Sequence, residues 1–151
     1  MSTKPKGHRL RVGRFSESGR IYLITTVIEN RMPVFQNLYL GRMLVRVLQS
    51  SQAFVDTLAY VVMPDHLHWL IQLGEKYDLS TVVASTKSQS ARYINQYVKQ
   101  TGQFWQTGFY DRALRHEDDL QQVARYVIAN PLRAGLVNKI GNYPLWDAIW
   151  L

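Results

Sequence analysis

Two histidines stand two residues apart in an apolar run, Val61-Val-Met-Pro-Asp-His-Leu-His-Trp-Leu-Ile-Gln-Leu73. On a strand, side chains at i and i+2 point to the same face. His66 and His68 then stand side by side, followed on their face by Leu70 and Gln72, while Leu67, Trp69, Ile71 and Leu73 fill the other face. Two adjacent neutral imidazoles are what a single strand can offer a divalent cation. Further along, Leu120, Val123, Ala124 and Val127 recur at helical spacing, and Tyr126 and Asn130 sit at i and i+4 on the shoulder of that stripe. Two imidazoles and one amide oxygen leave a cation with open positions and no ligand charge to neutralise it. It therefore stays a strong Lewis acid toward a phosphodiester, an ester that a tyrosine hydroxyl can attack as a covalent nucleophile. Each half alone has a blander reading, as solvent-facing or hydrogen-bonded imidazoles and as a core aromatic with its hydroxyl at the rim.

The elements that must carry these groups follow from periodicity. Arg20 to Glu29 is rich in β-branched and aromatic residues and predicts a buried strand, broken by Asn30-Arg31-Met32-Pro33. Asn37 to Ser51 places Leu38, Leu40, Met43, Leu44, Val47 and Leu48 at helical spacing, with Arg42 and Arg46 on the other side. Pro64-Asp65 reads as a turn between strands Phe54 to Met63 and Leu67 to Leu73, a β-hairpin with the histidines at the start of its second strand. Asp78 can cap a helix running from Leu79 to about Gln100, stopped by Gly102. Phe104 to Arg115 reads as an aromatic loop followed by a strand. Acidic Glu117-Asp118-Asp119 opens a last helix that reaches about Asn130 and ends at Pro131. Strand, helix, strand, strand, helix, strand is the order of an α+β, ferredoxin-like antiparallel sheet with helices on one face. A C-terminal helix carrying the tyrosine is added to it.

The chain has 151 residues, 46% of them hydrophobic, which suits one domain with a real core. Residues 1–19 are expected to be a flexible basic arm, with Lys4, Lys6, His8, Arg9, Arg11 and Arg14 able to track phosphates. The arm has no apolar centre and so is no signal peptide. No apolar run approaches the roughly 20 residues of a membrane span. With no cysteine, thiolate metal sites and disulfides are excluded, which fits a reducing, cytoplasmic setting. A net charge of +7 favours an anionic partner, most commonly nucleic acid. Lys87, Arg92 and Lys99 give the Leu79–Gln100 helix a basic side suited to backbone phosphates, and Trp105 and Phe109 are candidates to stack unpaired bases. His8 and His116 take no role.

His66-Leu67-His68 resembles the His-hydrophobic-His motif of the HUH nucleases. Phe104-Trp-Gln-Thr-Gly-Phe-Tyr-Asp-Arg-Ala-Leu-Arg115, with Ala124-Arg-Tyr-Val-Ile-Ala-Asn-Pro-Leu-Arg-Ala-Gly135, resembles the REP-associated tyrosine transposases, from about Arg20 to Leu151. The resemblance implies that Tyr126 is the nucleophile, forming a 5′-phosphotyrosine link and freeing a 3′-hydroxyl. It implies that His66, His68 and Asn130 hold Mg²⁺ or Mn²⁺. The implied substrate is single-stranded DNA with a REP-like palindromic hairpin. The implied functional unit is a monomer with its site built within one chain, a dimer sharing sites being the alternative. The competing readings are a hairpin-DNA-binding protein that has lost catalysis, and an unrelated metal-dependent hydrolase, for which a third His, Asp or Glu ligand is missing.

Overall fold

The computed structural model describes residues 17–115 and 118–150. The basic arm up to residue 16, His116 and Glu117 lie outside the described residues. Among the described residues five strands are present: β1 (Ile21–Val27), β2 (Val55–Met63), β3 (His66–Leu73), β4 (Tyr110–Ala113) and β5 (Trp146–Ala148). The helices are α1 (Leu38–Ser50), α2 (Leu79–Val98), α3 (Leu120–Ile128) and a single turn, α4 (Asn130–Arg133). The sheet is antiparallel throughout, in the order β4-β1-β3-β2-β5. Its first four strands with α1 and α2 make the expected ferredoxin-like unit.

Local chemistry accounts for the element boundaries. Asn37 Oδ1 accepts from the backbone N–H of Tyr39 and Leu40, opening α1, and Asp78 Oδ1 accepts from Thr81 N at 2.8 Å, opening α2. Helix α2 stops before Gly102: Lys99 turns left-handed (φ 57°) and Gln100 N–H returns to the Asn95 carbonyl. Pro64-Asp65 forms the tight turn between β2 and β3, which pairs Met63 with His66 and Val61 with His68.

The sheet buries both faces. On one, Tyr22, Ile24, Leu67, Trp69 and Ile71 pack against Leu40, Leu44 and Leu48 of α1 and Leu79, Val82, Val83 and Ile94 of α2. On the other, Leu58, Ala59 and Leu70 meet Ala124 of α3 and Ala148 of β5, and Val61 and Met63 meet Val127 of α3. The register slips between Thr57 and Ala59. This bulge lets Leu58 and Ala59 both face α3, while Thr57, on the other side, accepts from Trp69 Nε1 at 3.0 Å.

Two features depart from the sequence reading. The apolar C-terminal tail supplies a fifth strand beside β2, anchored where Val62 N–H donates to the Leu145 carbonyl and Tyr143 Oη donates to the Val62 carbonyl. A Leu145 methyl lies where a Cβ at Gly41 would be, so any larger residue there would have to displace the buried Leu145 side chain. The last helix also breaks earlier than expected, at Ala129, and Pro131 begins a new turn instead of closing the old one.

Candidate functional site at the His66–His68 pair

Both histidines lie on central strand β3 and on the face covered by α3. Their Nε2 atoms are 3.2 Å apart, and their rings meet edge to face at 4.8 Å. Each Nδ1 has a partner of its own. His66 Nδ1 lies 2.6 Å from Asp65 Oδ1. A carboxylate can only accept, so this nitrogen carries a proton, and Nε2 is the ring nitrogen that faces His68. His68 Nδ1 lies 2.9 Å from the Thr25 hydroxyl, which comes from the directly paired position on β1. Arg31 Nη1 donates to the other Asp65 oxygen at 3.1 Å. Burial pushes the Asp65 carboxyl up, but the hydrogen bonds and charges of His66 and Arg31 outweigh it and hold it below the usual carboxylate range. Asn30 and Arg31 are both left-handed (φ 58° and 50°), and neither is glycine. Such backbone strain is tolerated where surrounding contacts hold it; here Arg31 reaches Asp65.

His68 is the more enclosed ring. Burial first, then the charges of His66 and Arg133, push its imidazole down to about 4. It is therefore neutral at physiological pH, the form a cation requires.

Two Nε2 atoms at 3.2 Å need something between them. If Thr25 donates to His68 Nδ1, a proton on His68 Nε2 bridges to His66. If His68 Nδ1 donates to Thr25, two lone pairs face each other and a cation satisfies both. Neighbouring ligands on an octahedral ion with bonds of about 2.1 Å lie about 3.0 Å apart, so the observed spacing fits a shared ion. Among the described residues no group of three or more His, Cys, Asp or Glu forms a metal cluster. Any third protein ligand would have to be of another type, as the Asn130 amide is.

Tyr126 and Asn130 lie on either side of the helix break. Ala124 and Val127 are the buried positions of α3. Val127 packs on Val61 and Met63, the cross-strand partners of His68 and His66. This puts the end of α3 beside the histidine pair, with Tyr126 exposed. Pro131 has no N–H for the Val127 carbonyl, its i−4 acceptor; the Asn130 side chain donates there instead, at 2.6 Å. With its Nδ2 so fixed, Asn130 has Oδ1 as the atom it can offer a cation. Arg133, from the same short turn, donates Nη2 to the Tyr126 carbonyl at 2.6 Å and lies over the Tyr126 ring at 3.7 Å.

The residues expected to bind DNA divide. Arg92 on α2 and Lys99, the left-handed residue that ends it, are exposed. Lys87 is not a surface phosphate contact: its amine donates to the carbonyls of Gln106 (2.7 Å) and Gly108 (2.6 Å), and burial pushes it down to about 8. It staples the 104–109 loop to α2. Trp105 and Phe109 are core side chains, buried in the α1–α2 layer, and Trp105 Nε1 donates to buried Ser90 Oγ at 3.0 Å. Neither ring is open to a base. The open rings lie elsewhere. Tyr39 of α1 stacks on Tyr97 of α2 at 4.7 Å, and the Arg92 guanidinium lies 5.2 Å over Tyr93. Tyr93 and Tyr97 border a groove of about 600 Å³ between the two helices, with Arg46 on its other wall. Neither helix contains a carboxylate. Tyr39 and Tyr97 could not be singled out from sequence, because they lie on the exposed faces of different helices and meet only when α1 and α2 pack. Thr25, Arg31 and Arg133 were missed for the same reason; Asp65 alone had a local signal, its place beside His66.

No described helix is long and apolar enough to cross a membrane. The family model "Transposase IS200 like" matches residues 17–130. A Haemophilus influenzae protein assigned to the REP-associated tyrosine transposases is 26% identical over 137 residues, covering 83% of this chain and 78% of its own length. The REP-associated tyrosine transposase of Escherichia coli K12 is 27% identical over 88 residues, 57% of this chain and 50% of its own. Among solved structures, a REP-associated tyrosine transposase bound to a REP hairpin matches with a TM-score of 0.71 at 22% identity, covering 97% of this chain and 82% of its own. At that identity the likeness is one of fold.

Proposed function

The chain belongs to the IS200-like transposase family, and from that premise we propose that it cleaves and rejoins single-stranded DNA at palindromic hairpin elements through a 5′-phosphotyrosine intermediate. One observation carries the reading. Val127 seats the end of α3 on the two residues paired with the histidines, which supports a site that draws the tyrosine helix and the histidine strand from one chain. In the attack, Tyr126 Oη bonds to phosphorus as the P–O3′ bond breaks. The phenol proton passes to water, and the departing oxygen takes one up to become a free 3′-hydroxyl. Reversal of these steps rejoins the strand.

His66 Nε2, His68 Nε2 and Asn130 Oδ1 would hold Mg²⁺ or Mn²⁺, whose charge would polarise the phosphodiester. Imidazole nitrogens and an amide oxygen would bring no charge to the ion, so phosphate oxygens of the substrate would supply the anionic ligands. Asp65 and Thr25 orient the two imidazoles, the outer partners that metal-binding histidines ordinarily need. The solved REP-associated relative is bound to a REP hairpin, which supports hairpin DNA as the partner here. The basic α1–α2 surface, with Arg92, Lys99 and the Tyr39–Tyr97 stack, suits its backbone and unpaired bases.

The test is incubation with single-stranded oligonucleotides from the gene's own flanks, folded into hairpins, with Mg²⁺ or Mn²⁺. A protein–DNA adduct that survives denaturant is expected. Tyr126→Phe and chelator should each abolish it. Binding without any adduct in wild type would leave the catalytically silent hairpin-binding reading.

A further inference from the structure

Arg133 has no part in the chemistry described so far, yet it touches the proposed nucleophile twice. Its Nη2 donates to the Tyr126 carbonyl at 2.6 Å, and its guanidinium carbon lies 3.7 Å from the centre of the Tyr126 ring. The ring is otherwise open, 64% exposed at the end of α3. A side chain so placed would exchange freely between staggered rotamers. The helix break is what brings Arg133 there: α4 restarts at Asn130, and Arg133 is its last residue. Among the described residues no carboxylate pairs with Arg133, so its charge is spent on the tyrosine.

We propose that Arg133 is a positioning residue that clamps Tyr126 in a single orientation at the end of α3, through a cation–π contact on the ring and a hydrogen bond to its carbonyl. A guanidinium does both at once because it is flat and carries five donors in a fixed fork; an ammonium cannot. The clamp pre-organises the attacking oxygen, and such placement affects the rate of attack rather than the affinity for DNA. The inference rests on Tyr126 being the nucleophile, and its test separates the two.

Arg133→Ala, Arg133→Lys and wild type are compared in three measurements. The first is the single-turnover rate of adduct formation on the hairpin oligonucleotide. The second is hairpin affinity. The third is the NMR signal of the Tyr126 ring in ¹³C-tyrosine-labelled protein, identified by its loss in Tyr126→Phe. Both variants should slow adduct formation roughly 10- to 100-fold, as expected for a misplaced reacting group. Affinity should stay within about twofold, because a group acting only in the transition state leaves ground-state binding alone. The Tyr126 ring signal should move to that of a freely rotating exposed tyrosine. Full activity in Arg133→Lys, or an unchanged ring signal in Arg133→Ala, overturns the clamp. So does a loss of affinity as large as the loss of rate, which would make Arg133 a plain phosphate contact. The ring signal needs no catalysis, so it decides the clamp independently. If Tyr126→Phe still forms the adduct, the nucleophile assignment fails instead.

Discussion

The depressed His68 imidazole makes a prediction about stability that does not depend on DNA. Burial, then the charges of His66 and Arg133, lower it to about 4, against about 6.5 for an unfolded histidine. The unfolded chain therefore takes up a proton as pH falls through 6.5, while the folded chain resists until about 4. Stability is unaffected above 6.5 and is lost across that window as pH falls. The full difference corresponds to about 3 kcal/mol, with roughly 1 kcal/mol gone by pH 5.5 and between 2 and 3 by about pH 4.5. Carboxylates begin to titrate in the lower part of this range, so the measurement is a comparison. Urea denaturation of wild type and His68→Gln in chelator, at pH 7, 5.5 and 4.5, should show wild type losing ground to the variant as pH falls. A constant gap between the two proteins across the three pH values would show that the buried imidazole is not held neutral, and the case for a cation-ready site at His68 would fall with it.

Trp105→Phe keeps a core ring but loses the bond to Ser90 Oγ; it should cost about 1 kcal/mol of stability and leave DNA affinity unchanged, and the reverse pattern would return base stacking to Trp105. Tyr97→Ala removes half of the exposed Tyr39–Tyr97 stack and should weaken binding of single-stranded DNA by roughly 1–3 kcal/mol; equal affinity in a fluorescence-anisotropy titration would exclude that surface. Mixing inactive Tyr126→Phe with inactive His66→Ala should restore no adduct, because α3 packs on its own sheet. Recovery under subunit exchange would mean shared sites in a dimer.

The strand and helix pattern was legible because most elements are amphipathic at their own period and carry local stop signals. Asn37, Asp78 and Pro64-Asp65 act within a few residues of themselves, so their effect can be read without the fold. The fifth strand was not legible. Trp146–Ala148 is too short to show alternation, and it becomes a strand because β2 has an open edge and Leu145 has a glycine to lie against. The break at Ala129 was half legible. Pro131 signals an interruption, but whether a helix stops or restarts depends on who satisfies the Val127 carbonyl, and that is the Asn130 side chain. Trp105 and Phe109 misled because an aromatic loop reads the same whether it caps a core or faces a ligand; the buried Ser90 and the Lys87 staple decide for the core.

The site itself divides along the same line. His66 and His68 could be paired from sequence because a strand puts i and i+2 on one face whatever surrounds it. What makes them more than two exposed imidazoles comes from three other segments: Thr25 from β1, Arg31 from a strained turn, and Arg133 from beyond the helix break. Their placement follows from core packing. The histidine face of the sheet also carries Leu70, Val61 and Ala59, nearly inaccessible to solvent, and that apolar surface needs a cover. Helix α3 supplies one with Ala124 and Val127, short side chains that let it lie close to the strands. The same two residues fix the rotation of α3 about its axis, and thereby leave Tyr126, next to buried Val127, exposed at the end of the helix. The hydrophobic effect that closes the second face of the sheet thus seats the end of α3 against the histidine strand, and Pro131 and Asn130 shape the last turn so that Arg133 can reach back over the Tyr126 ring.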